Sequence, residues 1–274
     1  MIPIGGLDTS TALTLVDSTR DRQIEILRSR PEHARAITAF RERIADVQTA
    51  EQLIEDRELY VFVMKAFDLE DQIFGKALIQ KLLESDVDDR TALVNRLTDP
   101  RFREMYETLD FGENGVGNSN TLDARWREDM VDRYLDAQFI SDVYDQNESV
   151  GAVLEFRAKV ADIARPLAIL KARATAAFLR RALGFPDIIG TANIDRQADL
   201  IASRLDLETL SDPEVVDKLV RKYAALSNVF DTQQVTQNAA VQLVQSAVAS
   251  GRSFQPIALD ISAVSRLSSQ ARAL

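Results

Sequence analysis

The sequence predicts an all-α protein with a helical, bundle-like body. Charged and apolar residues interleave along most of the 274-residue chain in the pattern of amphipathic helices. Gly and Pro number only 10 and 7, few for a loop-rich or all-β protein. No segment shows the alternation of polar and apolar residues that is typical of half-buried strands. At this length the chain can form one large domain or two small ones.

The first helices are marked by the residues at their N-terminal ends. Pro31, which is favourable in a first turn, opens a segment that runs to Val47. Thr49 and Gln52 form the pattern of a capping box, so another helix is expected to begin there. After Leu59 this helix is apolar around much of its circumference, which predicts a central position. Further short amphipathic segments follow at 71–85, 88–97 and 99–109.

The second half of the chain continues as helices after one break. A Gly- and Asn-rich loop at 110–120 interrupts the helical pattern. The next helix carries Trp126 on its apolar side, and we interpret this residue as part of the core. A long helical stretch at 149–183 contains Pro166, which is expected to kink or split it. Two more helices are predicted near 194–205 and 212–229.

Two segments of the chain resemble each other. The sequence FVMKAFDLED at Phe62–Asp71 aligns with FLRRALGFPD at Phe178–Asp187, with Phe, basic, Ala and Asp residues at matching positions. A Thr-Asp-Pro sequence ending at Pro100 follows the first segment, and a Ser-Asp-Pro sequence ending at Pro213 follows the second. The shared order predicts that the body is built from two related helical modules.

The Asp-Pro pairs are interpreted as helix starts and not as a catalytic motif. Asp99 and Asp212 can accept backbone N–H bonds at an N-cap, and the Pro that follows each needs no N–H partner in the first turn. The modules are placed near residues 60–110 and 176–230. The chain is then divided into an N-terminal segment (1–30), a helical body (31–231) and a low-charge tail helix (232–274).

Charge and residue types exclude several classes of function. The formal net charge is −10, and residues 1–231 carry −12 because the tail holds three Arg and one Asp, a balance of +2. An acidic body repels phosphate backbones, so no nucleic-acid partner is expected. The absence of Cys excludes disulfides and thiolate metal sites. No run of about 20 apolar residues predicts a membrane span, and the N-terminus lacks the pattern of a cleavable signal peptide.

No residue stands out as catalytic, cofactor-binding or metal-binding. His33 is the only histidine, so a His-based triad or a His-rich metal site has no second member, and we interpret His33 as an exposed helix residue. The carboxylates of 84–89 lack the spacing and the central Gly of a calcium loop. Carboxylate pairs occur in any helical protein, and nothing here selects one for acid–base work. We predict a non-enzymatic protein without a cofactor.

The tail contains the candidate partner-binding residues. Thr232–Gly251 holds no charged residue, and Val241, Val244 and Val248 form a narrow apolar stripe along it. A narrow stripe is typical of a helix–helix seam, so these three residues are predicted to mediate contact with a partner or with a second copy. The alternative is an ordinary C-terminal helix docked on the body, or a disordered end.

Several motifs resemble a bacterial family of unknown function, DUF1217. Within Phe40–Asp89 they are an Arg-flanked helix, Thr-Ala-x-x-Leu, Asp-Arg and an Ala-Phe-x-Leu turn, and NRLTDPRFREM and LGFPD continue the likeness to about Asp231. The resemblance implies a helical fold and a gene that lies among flagellar genes. It implies no activity, cofactor or catalytic residue.

We therefore expect a non-enzymatic accessory or structural protein of the flagellar system that acts through helix–helix contacts. Its partner would be a flagellar or export-related protein, or another copy bound through the tail. Its expected location is cytoplasmic or flagellum-associated. The alternative is a cytoplasmic chaperone-like adaptor or another protein-binding module, and an uncharacterised enzyme ranks third.

Overall fold

The computed structural model describes residues 1–160 and 173–237. In these ranges the chain forms α-helices joined by turns, with one isolated backbone bridge between Thr49 and Val116. The helices are α1 (Thr9–Ser29), α2 (Pro31–Arg43), α3 (Ala50–Glu55), α4 (Arg57–Ala66), α5 (Lys76–Leu83), α6 (Leu93–Arg96), α7 (Pro100–Leu109), α8 (Ala124–Gln146), α9 (Glu148–Lys159), α10 (Arg173–Ala182), α11 (Ile194–Arg204) and α12 (Pro213–Gln237). The all-α prediction is confirmed.

Residues 1–30, which the sequence sets apart as an N-terminal segment, contribute a helix to the packing of the body. Asp8 caps α1, and the helix buries Val16 and Leu27. Gln23 is buried on the same helix, where its Oε1 accepts a hydrogen bond from the backbone N–H of Ile2 at 3.0 Å. Because this buried face includes a polar residue, its apolar periodicity is weak in the sequence.

The predicted helix starts are present. Thr49 and Gln52 make both hydrogen bonds of a capping box at α3. Asp99 accepts from the backbone N–H of Arg101 at 3.0 Å, and Asp212 accepts in the same way from Glu214 at 2.9 Å. The repeated Asp-Pro phrase thus begins α7 and α12, as the capping interpretation requires.

Two stacks of three aromatic rings organise the core. In the first, Phe62 of α4 lies between Phe40 of α2 and Tyr134 of α8, with ring centroids 4.2 and 4.3 Å apart. In the second, Phe178 of α10 lies between Phe156 of α9 and Tyr223 of α12, at 4.0 and 4.4 Å. These stacks tie together helices that are distant in the sequence.

The stacks bear on how the two proposed modules align. Tyr223 lies on α12, which begins at Pro213, and it packs on Phe178 as Tyr134 of α8 packs on Phe62. By packing, α12 therefore corresponds to α8 and not to α7, although α7 and α12 share the Asp-Pro start. The superposition of modules near 60–110 and 176–230 stays a prediction, and the aromatic stacks favour α2, α4 and α8 as the first set.

Met1–Asn228 form one packing unit, and all contacts discussed below lie within it. Helix α12 continues through Asp231, where the sequence places the start of the tail, as far as Gln237. Pro166 and the three candidate tail residues, Val241, Val244 and Val248, lie outside the described residues. Among the helices that the structure describes, none combines the length and the apolar character needed to cross a bilayer.

Candidate functional site

A cleft of about 790 Å³ lies along one side of α8. Its walls come from the turn that ends α4, from α7 and from the last turn of α9. Helix α9 follows α8 directly in the chain, whereas the end of α4 comes to α8 through long-range packing. Helices α8 and α9 approach closely because Gly151 has no side chain, since a Cβ there would lie 2.7 Å from Cα of Tyr144.

Helix α8 has an apolar face toward the core and a second apolar stripe in the cleft. The core face buries Val131, Leu135, Phe139 and Val143. The cleft stripe follows a repeated spacing of four and three residues and consists of Trp126, Met130, Arg133, Ala137, Ile140 and Tyr144. Met130 is buried and the other members of the stripe are half-buried. This spacing is that of a coiled-coil seam.

The turn that ends α4 places Asp68 at the cleft in an unusual backbone conformation. Its φ is +55°, in the left-handed region that Gly favours. The backbone N–H of Leu69 donates to the carbonyl oxygen of Met64 at 2.8 Å, which closes the helix end. Helix α10 ends with the same hydrogen-bond pattern, in which Gly184 stands at the corresponding position with φ +70°. An Asp at such a position is a reason to examine its carboxylate for a role.

The basic side chains of the cleft are held by carboxylates. Arg101 bonds to Asp99 at 2.7 Å and to the Asp68 carboxylate at 3.3 Å, and it also donates to the backbone carbonyl of Asp68. Lys159 pairs with Glu155 at 2.8 Å and lies 3.9 Å from Asp68. The carboxylate of Asp68 therefore joins α7 to α9 across the cleft.

The third basic group of the cleft, Arg133, pairs with Glu104 and lies over the ring of Phe67, with its guanidinium carbon 4.7 Å from the ring centroid. This geometry combines an ion pair with a cation–π contact. The aliphatic stem of Arg133 thereby becomes part of the cleft floor.

Carboxylates outnumber basic groups around the cleft. Four line it from α8, namely Asp129, Asp132, Asp136 and Asp145. Asp68, Glu104 and Glu155 line the walls. The basic residues of the lining are the three described above. The lining therefore has seven acidic and three basic groups, a formal charge of −4.

Ion pairs from α1 compensate two of the α8 carboxylates. Arg28 pairs with Asp132 at 2.9 Å, and Arg20 pairs with Asp136 at 2.8 Å. Among the described residues no basic group lies within 4.0 Å of the remaining two, Asp129 and Asp145, and both are exposed.

Partial removal from water changes the pKa values of several cleft groups. It raises the pKa of Asp68, against the lowering effect of Lys159 and Arg101, because the walls of the cleft desolvate a carboxylate whose side chain is still 59% exposed. It also raises the pKa of Asp136. Burial raises the pKa of Tyr144 to about 12.

The Arg101–Asp99 pair lies at one side of the same cleft. Burial alone would raise the pKa of the Asp99 carboxyl, but hydrogen bonds from Arg101 lower it overall. The pKa of Arg101 is raised because its bonds to Asp99 outweigh the opposite effect of burial. Both groups are therefore charged over the whole physiological range.

The structure places two residues from the sequence analysis differently from expectation. The interpretation of His33 as an exposed residue is wrong: it is buried, and its Nδ1 lies 2.8 Å from the hydroxyl of Tyr134. Tyr134 follows 101 residues later, so no local pattern reveals this contact. Trp126 is only half-buried, at one end of the cleft, where its indole N–H donates to the carbonyl of Thr108 at 3.1 Å.

A fully exposed aromatic residue lies outside the cleft. Phe74 is 98% exposed in the turn before α5. Neighbouring groups fix this turn, since the hydroxyl of Tyr60 donates to the carbonyl of Ile73 at 3.0 Å and Lys76 donates to that of Ile54 at 2.9 Å. Single exposed apolar residues are common on protein surfaces, and Phe74 supplies a useful control for tests of the cleft.

The family model described as a protein of unknown function, DUF1217, matches residues 66–216, more than half of the chain. The chain belongs to the DUF1217 family. All the residues that line the cleft fall inside the matched range. Among curated proteins none matches.

A similar fold has been solved by crystallography. It is that of a protein from Agrobacterium tumefaciens, determined by a structural genomics consortium, with 28% sequence identity and a TM-score of 0.71. The similarity covers 82% of this chain and 96% of that one. The arrangement of helices in this DUF1217 protein is thus also found in an experimental structure.

Among the described residues no group of three or more His, Cys, Asp or Glu side chains is arranged to hold a metal ion. Two of the four carboxylates that α8 contributes to the cleft are bound to Arg20 and Arg28. What the cleft offers chemically is an apolar floor with charged edges.

Proposed function

We propose that this DUF1217 protein is a non-enzymatic accessory or structural protein of the bacterial flagellar system, and that it acts by binding another protein through helix–helix contacts. The flagellar assignment rests on the resemblance of its motifs to a family whose genes tend to lie among flagellar genes. The mode of action rests on the cleft along α8.

The observation that carries the proposal is the second apolar stripe of α8. A surface helix in a monomeric body needs one apolar face, which packs on the core. Helix α8 has this face and in addition the half-buried stripe from Trp126 to Tyr144 at coiled-coil spacing. Such a stripe gains free energy when a further helix covers it, at roughly 25 cal/mol per Å² of apolar surface removed from water.

The charged groups of the cleft favour recognition over catalysis. A general base must be free to exchange a proton with a substrate, and a nucleophile must have such a base beside it. Arg101, Lys159 and Arg133 are instead each held by a carboxylate of the protein itself. Paired groups of this kind shape and orient a binding surface.

A chaperone-like adaptor could use the same cleft to hold a partner before assembly. The two possibilities differ in where the protein ends up. An accessory or structural protein should be found with purified flagellar structures, whereas an adaptor should stay in the cytoplasmic fraction and be absent from them.

The proposal is tested by deleting the gene in the host bacterium and measuring swimming and the composition of purified flagella. We expect impaired swimming, restored by the wild-type gene and by Phe74→Ser, which changes an exposed apolar residue outside the cleft. Ile140→Asp, which puts a charge on the apolar floor, should not restore it, provided that circular dichroism shows a folded protein. Normal swimming and normal flagella in the deletion strain would contradict the flagellar assignment.

A further inference from the structure

We infer that the cleft binds an amphipathic α-helix of a partner protein whose apolar stripe is flanked by basic residues near both of its ends. This inference rests on the proposed function and deepens it, because it states what kind of segment occupies the site. The observation that carries it is the juxtaposition of the α8 stripe with two carboxylates, at opposite ends of the cleft, that have no basic partner among the described residues.

The shape of the cleft suits an elongated ligand. Trp126 and Tyr144 mark the ends of the stripe and are eighteen residues apart, which corresponds to about 27 Å at a rise of about 1.5 Å per residue. A compact small molecule would cover only part of this length. A helix of about five turns would cover all of it, with its own residues at i, i+3, i+4 and i+7 facing the stripe.

The floor supplies the apolar contacts. Ala137 and Ile140 are neighbouring, half-buried members of the stripe, and the guanidinium of Arg133 beside them packs on the ring of Phe67. Ala137 at the middle leaves room for a larger side chain of the ligand. Burial of such central apolar groups is the usual source of affinity at protein interfaces.

The charges select the ligand. Asp129 and Asp145 stand near opposite ends of the cleft, sixteen residues apart on α8, or about 24 Å along its axis. Neither has a basic partner within 4.0 Å among the described residues. Lys or Arg residues separated by a similar distance on the ligand helix would complement both. Complementary charges at an exposed edge mainly set specificity and association rate.

The other charged groups of the cleft do not offset this preference. The remaining five carboxylates already have basic partners in the protein, and so do the three basic groups of the lining. An acidic helix would meet Asp129 and Asp145 without gaining a free cation from the lining. A basic helix gains two ion pairs and displaces none.

The probe is a synthetic helical peptide of 21 residues with Leu at the four–three spacing and Arg near both ends, compared with a second peptide that has Glu in place of Arg. The chain has one Trp, at position 126, so its fluorescence reports directly on the cleft. We expect the Arg peptide to shift the Trp126 emission and to bind at least about tenfold more tightly than the Glu peptide.

A charge reversal tests the two selecting residues. The double variant Asp129→Lys with Asp145→Lys should lose about tenfold in affinity for the Arg peptide and gain affinity for the Glu peptide. Both side chains are exposed and make no hydrogen bond with another described residue, so the fold should be unaffected. The matched control is Glu42→Lys with Asp199→Lys, which changes the net charge equally at two exposed positions outside the cleft and should leave the preference as it was.

Three outcomes would overturn the inference: equal binding of both peptides, an unchanged preference in the cleft double variant, or no peptide binding together with self-association of the full chain in sedimentation. The last would show that a second copy covers the cleft. Impaired swimming in the deletion strain without peptide binding refutes this occupant and leaves the proposed function standing. Selective peptide binding with normal swimming in the deletion strain supports this occupant and refutes the proposed flagellar function.

Discussion

Replacing Asp68 by Gly should stabilise the fold and leave the binding of the basic helix nearly unchanged, because the carboxylate of Asp68 already has basic partners within the protein. A residue other than Gly in the left-handed region costs roughly 1–2 kcal/mol, somewhat less for Asp, whose short side chain tolerates this region better. At φ +55° Asp68 bears this cost, and Gly would not. The ion pairs of Asp68 with Arg101 and Lys159, at 3.3 and 3.9 Å, stabilise the fold by about 0–1 kcal/mol, because the Asp68 side chain is 59% exposed.

Taking about 1–1.5 kcal/mol for the backbone of Asp68 and about 0.5 kcal/mol for its ion pairs, the net gain for Asp68→Gly is about 0.5–1 kcal/mol in the free energy of unfolding, or roughly 1–4 °C in Tm for a protein of this size. The sign agrees with the raised pKa of Asp68, since a carboxylate whose pKa is raised by folding costs stability when it is ionised at neutral pH. Urea denaturation gives the free energy, and Trp126 fluorescence gives the affinity for the Arg peptide.

Two further variants separate the backbone from the charge. Asp68→Asn keeps a residue that tolerates the left-handed region and removes only the charge. Gly184→Asp at the corresponding position should cost about 1–2 kcal/mol by the same backbone reasoning, since a Cβ there meets nothing within 4 Å. A clear loss of stability in Asp68→Gly, or none in Gly184→Asp, would refute the reasoning.

The remaining predictions concern packing, pH and the tail. Gly151→Ala should lower the free energy of unfolding, measured by urea denaturation, by about 1–3 kcal/mol, because the new Cβ meets the backbone of Tyr144. Phe74→Ser, at an exposed position, should change it by less than about 0.5 kcal/mol. Burial lowers the pKa of His33, so the stability contributed by its neutral ring is complete above about pH 6.5 and is lost as the pH falls through the folded pKa. Thermal melts of the protein and of His33→Gln over this pH range isolate the effect, and NMR titration should give a pKa below 6.5 for the ring. Truncation after Gln237, which keeps every residue of α12 that the structure describes, should change Tm by less than about 2 °C. If the tail serves contacts, the truncation should abolish self-association or partner capture, whereas unfolding of the truncated chain would show that the tail is part of the core.

The sequence predicts the helices well where local chemistry determines them. The capping box at Thr49 and the Asp-Pro starts at Asp99 and Asp212 depend on residues within a few positions of one another. Helix α1 has an equally local cap at Asp8, but its buried face includes Gln23, and this weakens the apolar pattern by which the helix could be found.

The cleft could not be predicted because its walls are brought together by tertiary packing. The stripe from Trp126 to Tyr144 shares its helix with the core face that includes Val131, so the apolar residues of α8 have no single preferred side in the sequence. The local trace of the cleft in the sequence is its floor, a second stripe of four–three spacing on α8, which carries no indication of the walls. The burial of His33 depends on Tyr134 in the same non-local way.

The two aromatic stacks give the proposed duplication a sharper form. Phe62 follows Phe40 by 22 residues, and Phe178 follows Phe156 by the same number. The Tyr that stacks on each central Phe lies on another helix, eleven residues after the Asp that caps the helix of that Tyr. The ends of α4 and α10 share their backbone hydrogen bonds as well. We therefore predict that α2, α4 and α8 superpose on α9, α10 and α12.

If this alignment is right, the cleft is built on α8 and the end of α4 of the first set, with one wall supplied by α9 of the second set. Between α4 and α8 the chain forms α5, α6 and α7, whereas α11 is the α-helix between α10 and α12. The first set also has Asp68 where the second has Gly184, so the residue that costs backbone energy is the one that faces the cleft. A crystal structure in which Phe40 and Phe156 fail to coincide when α4 is superposed on α10 would refute the duplication. The case for the cleft would then rest on the stripe of α8 and on its two uncompensated carboxylates alone.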